Sequence, residues 1–303
     1  MKNLLKLLTD TGDALIYRPS EKTSVMESVN KAIEDKERDG YVSKRFSPGG
    51  YVCARYKAHE RLNDFEPRMT AHKPDTIRLF KAGNSVHEVF QQEMLSTTDQ
   101  LFGHWVCASC GAKRSYTMRP NGVCSGSRIQ TSLLGEKVEE KCADVLKRTE
   151  NKWRYEELYV YSNPLDNDLY ALSGFVDGIW VEDDSWFTLE IKSIDDLGFK
   201  ALNRVKHPEL EGHFVLKPTD PRYPMNNHID QGMVYSKMLI DLADEGKIPF
   251  QSADFKGLIL LYVNRDTFET KEFRINYSER PYKVLLNLAT AAKGAVEQNN
   301  AFL

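Results

Sequence analysis

The stretch Gly174-Phe-Val-Asp177-Gly-Ile-Trp-Val-Glu182-Asp-Asp-Ser185-Trp-Phe-Thr-Leu-Glu190-Ile-Lys192-Ser193 carries most of what the chain discloses about its fold. Two apolar runs flank Glu182-Asp183-Asp184-Ser185, which predicts a β-hairpin with Asp183-Asp184 as a two-residue turn. Pairing Glu182 with Ser185 sets the register of both strands. Carried back along them, it places Asp177 directly opposite Glu190. Opposed Cβ atoms lie about 4.5–5.5 Å apart, so both carboxylates reach one divalent ion. Lys192, two residues beyond Glu190, projects from the same face. Carboxylates and an ammonium set among Phe187, Leu189 and Ile191 are costly to bury unpaired, and a bound cation offsets that cost. The competing explanation is a surface hairpin with an ordinary Glu–Lys pair, and a one-residue slip would separate Asp177 from Glu190.

Outward from the hairpin, a helix is predicted from about residue 75 to 94. Asp75 or Thr76 can cap it, and Leu79, Gly83, Val86, Phe90 and Met94 recur at helical spacing. It contains Gly83-Asn-Ser-Val-His87. Glycine inside a helix costs about 1 kcal/mol, which points to close packing or access to a site. His87 is a candidate third metal ligand, although a lone helical histidine is more often structural or exposed. Downstream, a helix over 226–244 puts His228, Gln231 and Tyr235 on one face. Gln and Tyr suit phosphate or base contacts; the plainer explanation is a polar helix flank. Strand-like runs fall at 155–161, 174–181, 186–194 and 258–264. Helical pieces are expected over 1–35, with further helices at 135–150 and 280–298. Strands mixed with helices indicate an α/β or α+β domain.

Five cysteines are present: Cys53, Cys107, Cys110, Cys124 and Cys142. The odd count, behind an N-terminal segment that makes a poor signal peptide, disfavours a disulfide framework. Cys107-Ala-Ser-Cys110-Gly111 has the spacing of a zinc knuckle, with Cys124 following after the turn-forming Arg119-Pro120-Asn121-Gly122. Cys142, His104 or Cys53 can supply the fourth ligand, and Cys142 leaves the most compact cluster. A chance CxxC among unrelated buried thiols is the alternative.

The chain has 303 residues, 41% hydrophobic and 28% charged, with a formal net charge of −3. That length buries a core without disulfides, and 4 Trp, 14 Tyr and 14 Phe exclude a mainly disordered protein. No apolar run is long enough for a membrane span. The small net charge argues against bulk coating of nucleic acid, yet it is unevenly spread. Residues 36–81 and 103–154 each carry a net +5, and residues 155–199 carry −10, with Lys192 the single basic residue. Basic stretches beside an acidic centre fit a polyanion held next to a bound cation.

GxxxH at Gly83–His87, GxxD at Gly174–Asp177, ExK at Glu190–Lys192 and QxxxY at Gln231–Tyr235, in that order, resemble the RecB-type branch of the PD-(D/E)XK nucleases. This branch includes CRISPR-associated adaptation exonucleases, AddAB helicase–nucleases and many phage exonucleases. The match covers about half the chain. The resemblance implies an α/β restriction-endonuclease-like core, a mixed central sheet flanked by helices. Residues 1–100 would be the N-terminal helical part, 103–148 an inserted cysteine-rich segment and 150–303 the nuclease core. It implies Mg²⁺ or Mn²⁺ held by His87, Asp177, Glu190 and the Ile191 carbonyl. Lys192 would orient or activate the attacking water, and Gln231 and Tyr235 would hold the DNA backbone and steady Lys192.

Iron–sulfur members of the branch carry one cysteine before the core and three after it. Cys53 suits the first position, but no cysteine follows Cys142. Zinc on Cys107, Cys110, Cys124 and Cys142 is therefore expected rather than an iron–sulfur cluster. Phage-encoded relatives often carry such an insert, which points to a phage or bacterial source. The expected activity is metal-dependent exonucleolytic cleavage of DNA, in replication, recombination or repair. The rivals are a structure-specific endonuclease and an inactive zinc-containing recombination scaffold. Lys44, Arg45, Arg55, Lys57, Lys113 and Arg114 are the expected DNA contacts, with Tyr51, Tyr56 and Trp105 available to stack on bases. Expected partners are linear or single-stranded DNA ends and a single-strand-binding or annealing protein. The expected setting is the cytoplasm, away from membrane.

Overall fold

A computed structural model describes residues 74–120, 124–131, 137–142, 153–166, 170–202 and 224–298. Pro74–Arg78 belong to one compact unit, and the described residues from Leu79 onward belong to another. The hairpin forms as its turn dictates. Strand β8 (Gly178–Glu182) pairs antiparallel with β9 (Ser185–Ile194), from Glu182↔Ser185 back to Gly178↔Leu189. Asp183 turns the chain at φ 49°, in the left-handed region that Asp tolerates better than most residues. Strand β9 is apolar on both faces, with Trp186, Phe187, Leu189 and Ile191 all buried, so it needs covered neighbours on each side. One neighbour is β8. The other is β10 (Phe255–Asn264), an equally apolar strand that runs parallel to β9.

Parallel neighbours require a long crossover. Here the connection includes helix α2 (Asp196–Ala201) and helix α3 (Asn226–Asp244), and α3 packs back on β9 and β10. Strand β11 (Thr270–Ile275) closes one edge antiparallel to β10, and helix α4 (Arg280–Glu297) packs on α3. On the other side β8 meets β1 (Leu101–Cys107), which also pairs with β2 (Lys113–Met118) and β5 (Trp153–Glu156). The result is a mixed seven-stranded sheet, ordered β11-β10-β9-β8-β1-β2 with β5 also on β1. The fold is α/β, a mixed central sheet with flanking helices. Among the described residues no helix is long and apolar enough to cross a membrane.

Three expectations are corrected, and one is refined. The run 155–161 is not one strand: β5 stops at Glu156, and β6 (Leu158–Ser162) starts at Leu158. The run 174–181 is likewise split into β7 (Leu172–Val176) and β8. Strands β6 and β7 leave the main sheet and pair with each other as a ribbon. At both breaks the buried positions change phase, from Trp153 and Tyr155 to Leu158 and Val160, and from Leu172 and Val176 to Ile179. The expected helix over 135–150 contains instead β4 (Lys137–Lys141), paired with β3 (Ser127–Thr131); 143–150 lie outside the described residues. Charged residues in this stretch suit a helix by propensity, but cross-strand pairing overrides it. The helix near residues 75–94 is composite: α1 (Pro74–Glu88) passes into a π turn at Val89–Met94 and a 3₁₀ turn at Leu95–Thr97. A Cβ placed on Gly83 meets nothing within 4 Å among the described residues, so close packing against them is not the reason for that glycine.

The cysteine-rich stretch is rooted in the sheet rather than set apart from it. Cys107 ends β1, and Cys107, Cys124 and Cys142 share one buried cluster with Trp105, Tyr155, Phe187, Leu189 and Ile191. Burying each such large side chain contributes roughly 1.5–3 kcal/mol. The cysteines therefore sit on the same core that supports β9.

Candidate functional site

Asp177 occupies the break between β7 and β8 and is 5% exposed. With no ladder of its own, its carbonyl is satisfied by side chains: the Tyr155 hydroxyl donates to it at 2.8 Å and Gln91 Nε2 at 3.2 Å. Its carboxylate is oriented from two directions. His87 Nδ1 lies 3.1 Å from Oδ1, which also accepts from Gln91 Nε2 at 3.1 Å, and the Ile191 amide donates to Oδ2 at 2.6 Å. The π turn follows directly on the helical turn that ends at His87 and Glu88, and it buries Gln91 against Asp177. The fit is close. A Cβ on Gly178 would lie 2.7 Å from Leu101 Cδ1 and 2.8 Å from the Tyr155 hydroxyl, so a larger residue there would displace the group that holds the Asp177 carbonyl.

Glu190 follows the ladder by one step from Leu189 and is 2% exposed. Its Oε1 accepts from Lys192 Nζ at 2.5 Å, and its Oε2 is buried with no hydrogen-bond partner among the described residues. Lys192 Nζ also donates to Gln231 Oε1 at 3.1 Å, and Gln231 Nε2 donates to the Tyr235 hydroxyl at 3.3 Å. The structure thus joins Glu190, Lys192, Gln231 and Tyr235 in one chain of contacts. Tyr235 is 4% exposed, and its hydroxyl braces Gln231 from within the core. Gly174 permits this, since a Cβ there would lie 2.6 Å from the Tyr235 hydroxyl. His228 takes another partner, the Tyr262 hydroxyl at 2.9 Å.

The electrostatics are those of a crowded acidic pocket. Burial pushes the Glu190 carboxyl up to about 7, with Lys192 opposing and Asp177 adding to the rise. Burial and then Asp177 push Glu157 up to about 7 as well. Burial opposes charge on His87 and on Lys192, but their carboxylate partners prevail and both pKa values are raised, His87 by Asp177 and Lys192 by Glu190. Burial, followed by the coulombic effect of Lys192, lowers His228 to about 4.

Sequence reading missed Glu157. It sits at the break between β5 and β6, and one ligand atom from each of His87, Glu157 and Asp177 lies within 4.8 Å of the others. The β6–β7 ladder ends at Leu158↔Val176, and one further step sets Glu157 opposite Asp177. That pairing was the available signal, but it requires knowing that 158–162 and 172–176 pair across an intervening loop. Beside these residues lies an open cleft of about 510 Å³, lined by Asn84, His87, Gln91, Arg154 and Glu157 among others.

The second constellation is the cysteine cluster. Cys107, Cys110, Cys124 and Cys142 bring their sulfurs within 4.8 Å of one another, with Cys110–Cys124 at 3.7 Å and Cys107–Cys142 at 3.9 Å. Tetrahedral zinc at about 2.3 Å from each sulfur requires sulfurs about 3.8 Å apart, so the four could bind a metal such as zinc. The Gly126 amide donates to Cys124 Sγ at 3.4 Å. Burial pushes the Cys142 thiol up to about 12. Among the candidates for fourth ligand, Cys142 is in the cluster. His104 instead meets Tyr116 edge-on at 4.9 Å, and Cys53 lies outside the described residues.

Of the expected DNA contacts, Lys113 and Arg114 are exposed on β2, and Lys113 pairs with Glu156 at 3.1 Å. Lys44, Arg45, Arg55, Lys57, Tyr51 and Tyr56 lie outside the described residues. Trp105 is corrected: it is fully buried and its indole donates to the Thr117 carbonyl at 3.0 Å, so it is a core residue with no face to offer a base.

Compared with family models and with curated proteins, the chain matches none. Among solved structures, the crystal structure of SSO0001 aligns at 12% identity over 90% of this chain and 86% of that one, with a TM-score of 0.37.

Proposed function

We propose that this chain is a metal-dependent deoxyribonuclease of the PD-(D/E)XK type, of the RecB-type branch, that hydrolyses DNA from its ends. The observation that carries the reading is the Glu190 carboxylate: one oxygen accepts from Lys192, and the other is buried without a hydrogen-bond partner among the described residues, one ladder step past Gly178↔Leu189 and so opposed to Asp177. An orphaned buried carboxylate oxygen is costly, and a divalent cation satisfies it better than any neutral donor. Two carboxylates suit Mg²⁺ or Mn²⁺, and the imidazole favours Mn²⁺ of the two. His87, Asp177 and Glu190 would hold the ion, with the Ile191 carbonyl as the further ligand that the resemblance implies. When bound, such an ion polarises the scissile phosphate and lowers the pKa of a bound water.

The protein's own groups do the rest. Lys192, kept charged by Glu190 and aligned by Gln231, donates toward the attacking oxygen and the charge that develops on phosphorus-bound oxygens. Tyr235 keeps Gln231 in place from inside the core. Arg154, exposed at the cleft beside His87 and Glu157, supplies positive charge for the DNA backbone, as do Lys113 and Arg114 farther along the sheet. Zinc is the metal that best suits the four cysteines, and its role is to tie β1 to the segment that ends at Cys142.

The test is Mn²⁺-dependent degradation of end-labelled linear DNA by wild type and by Lys192→Ala. Release of label by wild type and its loss in the variant are expected; equal signal from both overturns the catalytic reading. Covalently closed circular single-stranded DNA should survive an end-dependent enzyme, and its cleavage would assign an endonuclease instead.

A further inference from the structure

The two faces of the β6–β7 ribbon differ in kind. Leu158, Val160, Leu172 and Val176 point to one face, and all four are buried in the cluster that holds Tyr235 and Met238 of α3. Gly174 belongs to the same face, where the Tyr235 hydroxyl approaches it. The alternate positions carry Tyr159, Tyr161 and Phe175, and all three are exposed, Phe175 by 58%. Tyr159 lies directly opposite Phe175 in the ladder, with ring centroids 5.3 Å apart and planes tilted by 56°. An outer face of an antiparallel ribbon ordinarily carries polar residues. A cross-strand aromatic pair contributes about 0.2–1 kcal/mol to a ladder, which accounts for Tyr159 with Phe175. It does not account for Tyr161, whose ladder partner is Ser173.

Strand alternation continues this aromatic face into the acidic pocket. Glu157 stands two residues before Tyr159, and Asp177 two residues after Phe175, so all four belong to one side of the ribbon. Same-face positions along a strand are about 6.4–6.8 Å apart, and stacked nucleotides advance about 3.4 Å each. The ring pair therefore stands within about two nucleotides of the carboxylates. The cleft lined by Asn84 and Arg154 meets the same row at Glu157. Because the two rings are tilted, neither lays its face flat on the other, and a flat base can lie against one of them. In a duplex each base face is covered by its neighbours. Only an unpaired base can offer its face to a side chain.

We propose that the outer face of the β6–β7 ribbon, Tyr159 and Phe175 with Tyr161 beyond them, is a base-stacking platform that leads an unpaired DNA strand into the acidic pocket. This deepens the nuclease reading and rests on it. The platform holds bases whatever their sequence, since every base has a flat face, while the backbone passes the carboxylates at Glu157 and Asp177.

The experiment is fluorescence anisotropy of a dye-labelled oligothymidylate titrated with the full chain, with Ca²⁺ in place of Mn²⁺ and a gel to show that the oligonucleotide stays intact. Wild type is expected to bind the single strand more tightly than a blunt duplex of the same length. Phe175→Ala and Tyr159→Ala are each expected to weaken single-strand binding about 5- to 150-fold, the loss of one base stack. Phe175→Tyr should bind as wild type does, whereas Phe175→Leu, apolar but without a ring, should bind like Phe175→Ala. Unchanged affinity in either alanine variant overturns the proposal, and so does a Phe175→Leu variant that binds like wild type. A wild type that takes up no single strand also overturns it and leaves the rings to a protein partner. Should the alanine variants fail to fold, wild type photo-crosslinked to iododeoxyuridine-containing oligonucleotides decides. Crosslinks at Tyr159, Tyr161 or Phe175 support the platform, and crosslinks confined to other residues overturn it. Cleavage is read separately with Mn²⁺. A wild type that stacks bases on these rings yet cleaves no DNA would sink the nuclease reading while leaving the platform standing.

Discussion

Glu157 and Asp177 face each other at matched interruptions of neighbouring strands, where the β6–β7 ribbon meets the main sheet. Each is the one residue between two strands, so each is free of ladder geometry and turns its carboxylate into the pocket. Burial, and then the charge of Asp177, raises the Glu157 carboxyl, and measurable effects follow from this pocket and its surroundings.

Stability of the metal-free protein should fall as pH rises from about 4.5 to about 7. Glu157 and Glu190 have ordinary values of 4.5 and folded values of about 7, so within that window the folded state holds protons that the unfolded state has lost. Their contribution is fully present below 4.5 and is lost as pH passes through about 7. Denaturant midpoints measured across this range, without added divalent ion, should decline. Saturating Mn²⁺ should flatten or reverse the trend, because ion uptake displaces the same protons. A metal-free midpoint that rises with pH would contradict this reading.

The Lys192 brace should separate by degree. Lys192→Ala is expected to lower kcat about 10²–10³-fold, as loss of a charge aimed at the transition state does. Gln231→Ala should cost about tenfold, and Tyr235→Phe less, since the latter removes a single hydrogen bond worth about 0.5–1.5 kcal/mol. KM for DNA should stay unchanged in Tyr235→Phe, because that hydroxyl is buried. A KM effect there would mean that Tyr235 reaches substrate.

Tyr155→Phe removes the hydroxyl that donates to the Asp177 carbonyl at 2.8 Å. An unsatisfied buried acceptor costs about 1–3 kcal/mol. Gln91 still donates to the same oxygen, so the loss in a chemical denaturation experiment should be near 1 kcal/mol. Gln91→Ala combined with Tyr155→Phe should cost more than the sum of the two single variants.

Cys142→Ser should lose the metal of the cysteine centre and lower the melting temperature. Cys142 is fully buried in the cluster that also contains Leu189 and Ile191, so the effect extends beyond the cysteine-rich stretch. Elemental analysis should find about one zinc per wild-type chain and much less in the variant. Zinc uptake should release protons, since a thiol near 12 must ionise to bind.

Arg154→Ala should raise KM several-fold with little change in kcat, and it should reduce the salt dependence of DNA binding by about one ion. Arg154 is exposed in the cleft and belongs to β5, one strand residue away from the buried Tyr155. An altered kcat with constant KM would place it nearer the chemistry than the cleft suggests.

Legibility in the sequence followed the range over which each feature is encoded. The β8–β9 hairpin was readable because a two-residue turn ties both strands together, and the register found is the one that turn dictates. The four cysteines were readable because their spacing is local. Glu157 was not, since its opposition to Asp177 depends on a ribbon whose strands are separated by the loop 163–171. Trp105 was misread because an aromatic in a basic stretch looks available for stacking, whereas tertiary packing buried it completely. The 135–150 expectation fails over Lys137–Lys141, where pairing with Ser127–Thr131 outweighs the helix propensity of Lys and Glu; Cys142 is helical, and 143–150 lie outside the described residues.

The β6–β7 ribbon also governs which changes of chain length the protein survives. Its ladder, not its connecting loop, aligns Glu157 with Asp177. Insertions or deletions within 163–171 should therefore leave Glu157, Asp177 and Glu190 in one row across the strands, and homologues are expected to vary in length there. A single residue gained or lost inside β6, β7 or β8 would rotate one acidic side chain to the opposite face and dismantle the row. Length differences among homologues should accordingly gather between Ser162 and Leu172 and avoid the three strands.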